Sequence, residues 1–416
     1  MDRARSVVIL KLRPYSLHAG TIGIARSLGR LGVDIHVIGD QASSPVARSR
    51  YVRSVRALPV SQSADQLADS LRRLAPAGCP LLLPVDDLAA VFVQNQATAL
   101  LNVYRFPCLP DGLVDKLVDK AALSTLAHLA GVPSPTHATP VNLQDVDAFL
   151  AATAFPVVVK MRDPKLFERT HGVSGVEIAQ DAAKARDLWI RHVVDGQPNC
   201  IFQEYVPGGP QSVWMVNAYI DKDSIVRFAA TGRKLRQFPP YTGATSLGIC
   251  EGNDEVLKLT ARLVHHIGYR GILDIGWRYD ARDGSYKLLD FNPRIGATFR
   301  LFVGRQGLDV LRACYSDMSD HPILADEVQE GRKWVNESYD VFSAATYWRD
   351  GVLSTSSYLR SYRNVAEATW LARDDPAPAL SMFRSVLRLA LPKVMGRLRA
   401  RFRAARKHEV LSTDSR

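Results

Sequence analysis

The sequence predicts an α/β protein in which a Rossmann-like first domain precedes an α+β part. Residues 6–12 are apolar, residues 18–32 carry apolar residues at helical spacing and end on a glycine, and residues 33–39 are apolar again. This strand–helix–strand order is typical of the opening of a doubly wound parallel sheet. Residues 212–220 and 224–237 are long strand-like runs that follow each other closely, which indicates antiparallel pairing in the second part.

The first domain carries only a weak signal for binding a dinucleotide. Gly20 and Gly23 begin the first helix but do not complete the pattern G-x-G-x-x-G, so close packing of helix on strand is the favoured explanation. Asp40 follows the second strand, where dinucleotide-binding proteins carry an acid. A nicotinamide-nucleotide dehydrogenase therefore stays open as an alternative. The third strand, residues 80–85, ends at Asp86 and Asp87, which are expected to cap the next helix.

The second part alternates further strand-like and helical segments. We expect one helix from residue 115, closed by a glycine and a Pro-x-Pro turn before residue 137, and a strand that ends at Lys160. A second helix is expected over residues 254–268. The strands at 271–280 and 286–294 are joined by an Asp-Gly sequence, which predicts a β-hairpin.

The composition is that of an ordinary soluble protein of two or three domains. The chain has 416 residues, of which 47% are hydrophobic and 23% charged. It has no apolar run of 18 residues, and the first apolar run is too short for a secretory signal. Five cysteines without C-x-x-C spacing disfavour a zinc site or a disulfide framework. These features together predict a cytoplasmic protein.

The positive charge is concentrated near the C-terminus. Nine Lys or Arg and no acid lie within residues 384–407, and removing those nine from the net charge of +11 leaves +2. Apolar residues recur among the arginines, so we expect a basic amphipathic helix over residues 378–407. Two interpretations stay open: a peripheral contact with the anionic inner membrane face, or a helix packed on the protein with a solvated basic face. Nucleic acid is disfavoured because few aromatic residues interleave.

The stretch LLDFNPRIG, residues 288–296, places polar groups at every second position of a predicted strand. Asp290, Asn292 and Arg294 share one face because strand side chains alternate, whereas Leu289 and Phe291 are expected on the core face. Carboxylate and amide oxygens suit Mg²⁺, and an arginine suits a phosphoryl or carboxylate group. The alternative is a solvated edge strand that ends in a turn at Asn-Pro.

In their order along the chain, these parts resemble the ATP-grasp superfamily, in particular its carboxylate–amine ligases. A helix with Lys120 is followed by a strand ending at Lys160, a glycine-bearing loop, the stretch QEYVPGG and two acidic strands with Asp274 and Asp290. The resemblance covers roughly residues 1–310. It implies a pre-ATP-grasp domain over 1–112, an ATP-grasp domain over 113–310 with its lid subdomain at about 134–206, and a C-terminal extension over 311–416.

The resemblance implies a nucleotide site. Lys120 and Lys160 match the lysines that hold the ATP phosphates, and Lys160 also matches a catalytic position against the adenine. The loop 163–175, with Gly172 and Gly175, matches the lid over the phosphates. Adenine would be bound by the hinge strand, which is formed by Gln203, Glu204, Tyr205 and Val206. Gln211 stands where the family often has an acid for the ribose, and this departure puts the ribose contact in doubt.

The resemblance also implies a metal and an acceptor site. Asp274, Asp290 and Asn292 match the ligands of Mg²⁺, or alternatively Mn²⁺, although the family more often has glutamates. Arg294 would stabilise the transferring phosphoryl group as a catalytic residue. The candidates for binding a carboxylate substrate are Arg233, Lys234, Arg236 and Arg300. The implied activity is ADP-forming ligation of a small carboxylic acid to an amine; the second alternative is a non-catalytic binding protein with the same fold.

Overall fold

The computed structural model describes residues 5–14, 17–58, 63–162 and 175–388 of the chain. Its first unit is a four-stranded parallel sheet in the order β3–β2–β1–β4, as the opening of the sequence predicts. Alternate residues of the first strand enter opposite cores, Val7 and Ile9 on one face and Val8 and Leu10 on the other. The elements are β1 Val7–Leu10, α1 Ala19–Gly29, β2 Ile35–Ile38, β3 Val52–Arg56, α2 Ala64–Leu74, β4 Leu81–Pro84, α3 Asp87–Asn95 and α4 Ala97–Leu100.

A helical pair follows where a single helix was predicted. Asp119 breaks the helix because its carboxylate accepts hydrogen bonds from the backbone N–H groups of Ala121 and Ala122, at 3.0 and 2.9 Å, and so caps a new one. The two helices are α5 Leu113–Val118 and α6 Lys120–Leu129. The break makes Lys120 the first residue of a helix.

The second unit is a small antiparallel sheet in the order β5–β10–β6–β7. Helices cover it through a core of its own, in which Phe149 and Leu188 pack against Val159 and Phe202. A separate two-stranded ribbon, β8–β9, lies beside it in the chain. The elements are β5 His137–Ala138, α7 Leu143–Ala152, β6 Val157–Met161, β7 Val176–Ala179, α8 Ala182–Arg191, β8 Val193–Val194, β9 Gln197–Pro198 and β10 Cys200–Glu204.

The third unit is a seven-stranded sheet in the order β15–β14–β11–β12–β13–β16–β17, antiparallel except for its last pair. On β11, Trp214 and Val216 pack toward α9, while Met215 and Tyr219 pack into the core shared with α1. The first and third units therefore have one continuous core. The elements are β11 Val213–Ile220, β12 Val226–Phe238, β13 Ala244–Cys250, α9 Asp254–His266, β14 Gly271–Asp280, β15 Ser285–Asn292, α10 Val310–Met318, β16 Lys333–Val335, α11 Glu337–Arg349, α12 Thr355–Ser361 and β17 Val365–Ala368.

The C-terminal part contributes to this third sheet. β16 and β17 extend it beyond β13, and the aromatic stretch at 334–351, which looks strand-like in the sequence, is mostly the helix α11. The reason is a helical burial period, with Asp340, Ser343 and Tyr347 all buried. Residues 377–388 form a further helix, and the rest of the predicted basic helix lies outside the described residues. In the described part, no helix is both long and apolar enough to cross a bilayer.

Candidate active site

A cavity of about 450 Å³ lies between the second and third sheets. One wall comes from β6, β7 and β10, and the other from β12, β14 and β15. Most of the predicted nucleotide residues line this cavity, namely Lys120, Lys160, Gln203, Glu204, Tyr205 and Val206. Of the predicted metal residues, Asp290 lines it, whereas Asp274 and Asn292 are paired with each other two residues further along the same two strands.

Lys120 and Lys160 both line this cavity. Neither ammonium has a carboxylate or hydrogen-bond partner in the described part of the chain. Of the predicted lid, residues 163–175, all but the last residue lie outside that part. Burial and the neighbouring charge of Lys120 lower the pKa of Lys160 to about 8. Two unpaired cations side by side are unfavourable on their own, so the arrangement suits an anion with several oxygen atoms. Among the described residues, no atom lies within 4 Å of a Cβ placed on Gly175, at the edge of the predicted lid.

The acidic strands form the opposite wall. Asp274 on β14 lies directly across from Asn292 on β15, and Asp290 lies across from Gly276. A β-bulge at this point places an extra residue, Leu289, opposite no partner. The prediction that Leu289 faces the core is therefore wrong: the bulge turns it into the cavity beside Asp290.

Asp274 is held by three neighbours. The side-chain amide of Asn217 donates to its Oδ1 at 3.0 Å, the backbone carbonyl of Asp274 accepts from the amide of Asn292 at 2.9 Å, and Nη1 of Arg294 lies 3.7 Å from its Oδ2. Burial raises the pKa of Asp274 to about 6, a rise that Asp290 reinforces and Arg294 opposes. In the free protein this carboxylate is thus costly to ionise.

Asp290 has the opposite electrostatic environment. Burial disfavours its charge, but Lys120, Lys234, Lys160 and Arg294 together hold the pKa of Asp290 below its usual range. Its carboxylate accepts no hydrogen bond from the described residues. It therefore stays ionised with its oxygen atoms available to a ligand.

Two glycines make room for the two carboxylates, and sequence reasoning missed both. A Cβ on Gly276 would overlap Oδ1 of Asp290, and a Cβ on Gly296 would overlap Oδ2 of Asp274. For Gly276 the signal was present, because a glycine inside a strand often marks a close approach by another group; Gly296 lies in the loop after β15 and gave no such signal.

The donor set fits a divalent cation that also takes ligands from outside the protein. Within the described residues, no group of three or more His, Cys, Asp or Glu side chains is placed to hold a metal. Asp274, Asp290 and Asn292 supply two carboxylates and one amide, and Oδ1 of Asn217 is buried beside them without a hydrogen-bond partner. Mg²⁺ commonly binds to one or two carboxylates and completes its shell with water and phosphate oxygens.

Arg294 is fixed by a contact between units. Its Nε donates to Oδ1 of Asp87 at 3.1 Å, and its Nη2 donates to Oδ1 of Asn292 at 3.2 Å. Burial lowers the pKa of Arg294, but Asp87 and Asp274 outweigh that effect and raise it. The sequence analysis expected both Asp86 and Asp87 to cap the next helix. In fact Asp86 is the cap of α3, and Asp87 orients the arginine.

The predicted hinge strand lines the cavity with all four of its residues, Gln203, Glu204, Tyr205 and Val206. Glu204 accepts a hydrogen bond from the backbone of Thr136 at 3.1 Å, and Lys287 is 3.4 Å from its Oε1. Its carboxylate is thus engaged within the protein. Gln211 lies in a 3₁₀ turn, is exposed, and is not part of the cavity lining.

The sequence analysis missed a further cation of the cavity, Arg278. It lines the cavity from β14, two residues beyond Gly276, and lies over the ring of Tyr205 at 5.7 Å. Because Asp274, Gly276 and Arg278 occupy alternate positions of one strand, the period of two was the signal.

Of the four basic residues predicted to bind substrate, only Lys234 lines the cavity. Burial lowers the pKa of Lys234, while Asp290 and Asp274 oppose that change. Its neighbour Arg233 points elsewhere and is paired with Glu251 at 2.9 Å.

Arg236 and Arg300 are corrections to the prediction, because both are committed to buried carboxylates. Strand alternation would put Arg236 on the same face as Lys234, but a bulge in β12 turns it toward α11. There it donates to both oxygens of Asp340, at 2.8 and 2.6 Å. Arg300 donates to Glu367 at 2.8 Å and is also paired with Asp309.

The three units, with the cavity between the second and third sheets, define an ATP-grasp fold. Comparison with solved structures confirms this. The chain aligns with the ADP complex of N5-carboxyaminoimidazole synthetase from Staphylococcus aureus at a TM-score of 0.62 and 10% identity, covering 84% of this chain and 87% of that one. It aligns with the L-amino acid ligase from Bacillus licheniformis at a TM-score of 0.56 and 14% identity, covering 76% and 75%.

Among curated proteins, the chain is similar to the D-aspartate ligase of Enterococcus faecium. The two are 23% identical over 293 residues, which is 66% of this chain and 69% of the ligase. No protein-family model matches the chain. The resemblance predicted from the sequence is thus confirmed for the fold.

Proposed function

We propose that this protein is an ADP-forming ligase that activates a carboxylate as an acyl phosphate and joins it to an amine. The observation that carries the proposal is the cavity in which Lys120, Lys160 and Lys234 surround the carboxylate of Asp290, with Asp274 close enough to act on the charge of Lys234. Cations and acids that alternate across one space suit a triphosphate with its metal ion.

The nucleotide is assigned to the wall that holds β10. Backbone groups of Gln203 to Val206 would bind adenine, and Lys120 and Lys160 would bind the phosphates. Support comes from the unpaired ammonium groups and from the ADP bound to the staphylococcal relative of the fold. The exposed Gln211 leaves the ribose without a carboxylate from that position.

The metal ion is assigned to Asp274, Asp290 and Asn292, with Mg²⁺ as the expected ion and Mn²⁺ as a substitute. Bound there, the ion would neutralise phosphate charge and orient the phosphoryl group for transfer. Asp290 is held ionised by its cationic surroundings, and a metal ion bound beside Asp274 would offset the cost of ionising that buried carboxylate.

Group transfer then needs little covalent help from the protein. A carboxylate oxygen attacks the γ-phosphorus, the bond to the β-phosphate oxygen breaks, and ADP leaves; the amine next attacks the acyl carbon, loses a proton, and phosphate leaves. Arg294, fixed by Asp87, would stabilise the charge on the transferring group. The protein's contribution is mainly positioning and neutralisation of charge.

The acid is proposed to be an amino acid. Both the D-aspartate ligase and the L-amino acid ligase are named for such substrates. In this chain, Lys234 and Arg278 are the cations left in the cavity after the phosphate lysines are assigned, and either can bind an α-carboxylate.

The dehydrogenase alternative is disfavoured by the structure of the first unit. Asp40, the acid expected to bind a ribose, is 6% exposed and forms an ion pair with Lys11 at 3.0 Å. A buried, paired carboxylate is not available to a cofactor. The binding-protein alternative is separated from the ligase by turnover, because it predicts nucleotide binding without release of ADP.

Thermal unfolding with Mg-ATP, ATP with chelator, and NADH tests the nucleotide site. At about 100 times its dissociation constant a ligand stabilises by roughly 2.7 kcal/mol. We expect a shift only with Mg-ATP. The variant D290A/N292A should lose the shift, while D283A, which removes an exposed carboxylate from the same hairpin, should keep it. A shift with NADH, or one that survives in D290A/N292A, would contradict the assignment.

The reaction itself is tested by measuring ADP released from ATP with pairs of amino acids, with hydroxylamine present in parallel as a universal amine. A true acyl phosphate gives a hydroxamate in the presence of the correct acid alone. Nucleotide binding without acid-dependent ADP formation across a complete amino-acid panel would reject an amino-acid substrate while leaving the nucleotide site intact.

A further inference from the structure

The helix of residues 377–388, here called the C-terminal helix, is held firmly against the first unit. Just before it, the buried carboxylate of Asp375 accepts hydrogen bonds from Nε of Arg26 at 2.9 Å and from the hydroxyl of Ser49 at 2.8 Å. Ala379 and Met382 then pack into the core next to α1. One face of the C-terminal helix is therefore accounted for by contacts within the protein.

A second face of the same helix is apolar and has no covering element among the described residues. Leu380, Phe383 and Leu387 are 55%, 58% and 42% exposed. Their spacing of three and four residues places them in one stripe along the helix. Large apolar side chains aligned in this way are usually buried by a binding partner.

Arginines flank the stripe and converge on a cavity of about 360 Å³ between the C-terminal helix and the turn at Val46–Arg48. None of its three guanidinium groups has a carboxylate partner among the described residues. A site of unpaired guanidinium and hydroxyl groups suits an anion with several oxygen atoms, such as a phosphate. The polar side chains that line it are Arg48, Arg384, Arg388, Ser43, Ser381 and Ser385.

We propose that this face binds an anionic membrane surface, with lipid phosphates in the arginine cavity and the apolar stripe at the boundary of headgroups and acyl chains. A helix that combines an apolar face with flanking arginines has the chemistry of an interfacial helix. The charge of the chain agrees, since residues 384–407 contain nine basic residues and no acid. Unpaired arginines beside the stripe disfavour a second copy of this chain, because like charges would meet across a symmetric contact. The inference goes beyond the ligase activity and does not depend on it.

Vesicle sedimentation of the full-length protein tests the proposal. We expect binding to phosphatidylcholine vesicles that contain phosphatidylglycerol, no binding to phosphatidylcholine alone, and release at high salt. The variant R384Q/R388Q should bind about 30-fold more weakly, at roughly 5-fold per arginine near an anionic surface. F383S/L387S should bind about 10-fold more weakly or worse, because it removes apolar area that enters the lipid.

Matched variants control for charge and hydrophobicity elsewhere on the surface. R72Q/R73Q removes two exposed arginines from α2, and L359S removes an exposed leucine from α12; both should bind vesicles as the unaltered protein does. The thermal unfolding midpoint without ligand should be equal in all variants, which shows that they are folded and keeps this test independent of the proposed function.

Four results would overturn the proposal. Vesicle binding that is unchanged in R384Q/R388Q and F383S/L387S would show that this face is not used. Displacement from vesicles by millimolar inorganic phosphate would assign the cavity to a soluble anion. Stronger retention on single-stranded RNA than on anionic vesicles, or a dimer that F383S/L387S dissociates, would assign the face to another partner.

Discussion

Replacing Asp274 by asparagine should make the free protein more stable while it removes the metal site. Burial raises the pKa of Asp274 from 3.8 to about 6, so ionisation at neutral pH costs stability. A shift of about two units corresponds to about 3 kcal/mol at 1.36 kcal/mol per unit. Asparagine keeps the shape and can still accept the hydrogen bond from Asn217. D274N should therefore raise the free energy of unfolding at pH 7.5 by about 3 kcal/mol.

The pH dependence follows from the sign of the shift. Because the folded pKa lies above the unfolded one, the cost is fully present above about pH 6 and fades as the pH falls toward 3.8. The advantage of D274N should shrink to about 1 kcal/mol at pH 4.5. D290N should behave in the opposite way and destabilise the protein at pH 7.5, because it leaves Lys120, Lys160 and Lys234 without their shared counter-charge.

Urea unfolding at the two pH values, monitored with and without Mg-ATP, measures both effects. The midpoint at pH 7.5 should rise in D274N and fall in D290N, and neither variant should show Mg²⁺-dependent stabilisation by ATP. A D274N protein that is less stable than the unaltered one at pH 7.5, or whose advantage is the same at both pH values, would refute the electrostatic account of this site.

Three further outcomes are expected. K160M should weaken ATP binding by about 2 kcal/mol, or roughly 30-fold, because it removes a charge-assisted phosphate contact. Titration calorimetry should also show that the ATP affinity of the unaltered protein falls as the pH rises through about 8, where Lys160 loses its proton. The ATP affinity of K160M should not change over the same pH range. G276A should displace the Asp290 carboxylate and abolish the Mg²⁺-dependent thermal shift, although its helices and strands remain intact by circular dichroism. R236L should cost about 3–5 kcal/mol of stability, because it leaves the buried carboxylate of Asp340 without its cation, and the ATP affinity should not change. The double variant R236L/D340L should recover most of the lost stability. Reduced ATP affinity in an R236L protein of full stability would instead show that Arg236 belongs to the binding site.

The spacing of residue types over short stretches of sequence was sufficient to predict much of the fold and the residues at the centre of the candidate site. The alternation of side chains along β15 placed Asp290 and Asn292 on one face, and the Asp-Gly hairpin brought them beside Asp274. Both follow from geometry within some twenty residues of chain. The same alternation of side chains, continued along β14 from Asp274 through Gly276, could have identified Arg278.

The errors occurred where a local irregularity or a distant partner decides the outcome. Bulges in β12 and β15 reverse the direction of Arg236 and Leu289, and a bulge leaves no clear mark in a single sequence. Asp87 binds Arg294 across 207 positions of the chain, a separation that no periodicity can indicate. A basic residue in a sequence also does not reveal whether its partner is a substrate or, as for Arg300, carboxylates of the protein itself, the buried Asp309 and the half-buried Glu367.

The ion pair between Arg26 and Asp375 has a consequence for how the protein is made. Arg26 is buried in the first unit, yet the carboxylate with which it pairs, that of Asp375, lies 349 residues further along the chain. At typical rates of synthesis, on the order of tens of seconds pass between the emergence of the two residues. Until then the N-terminal unit holds an uncompensated charge, so its early form on the ribosome should be open and accessible to chaperones. Completion of the first unit therefore waits for a segment that is synthesised 349 residues later.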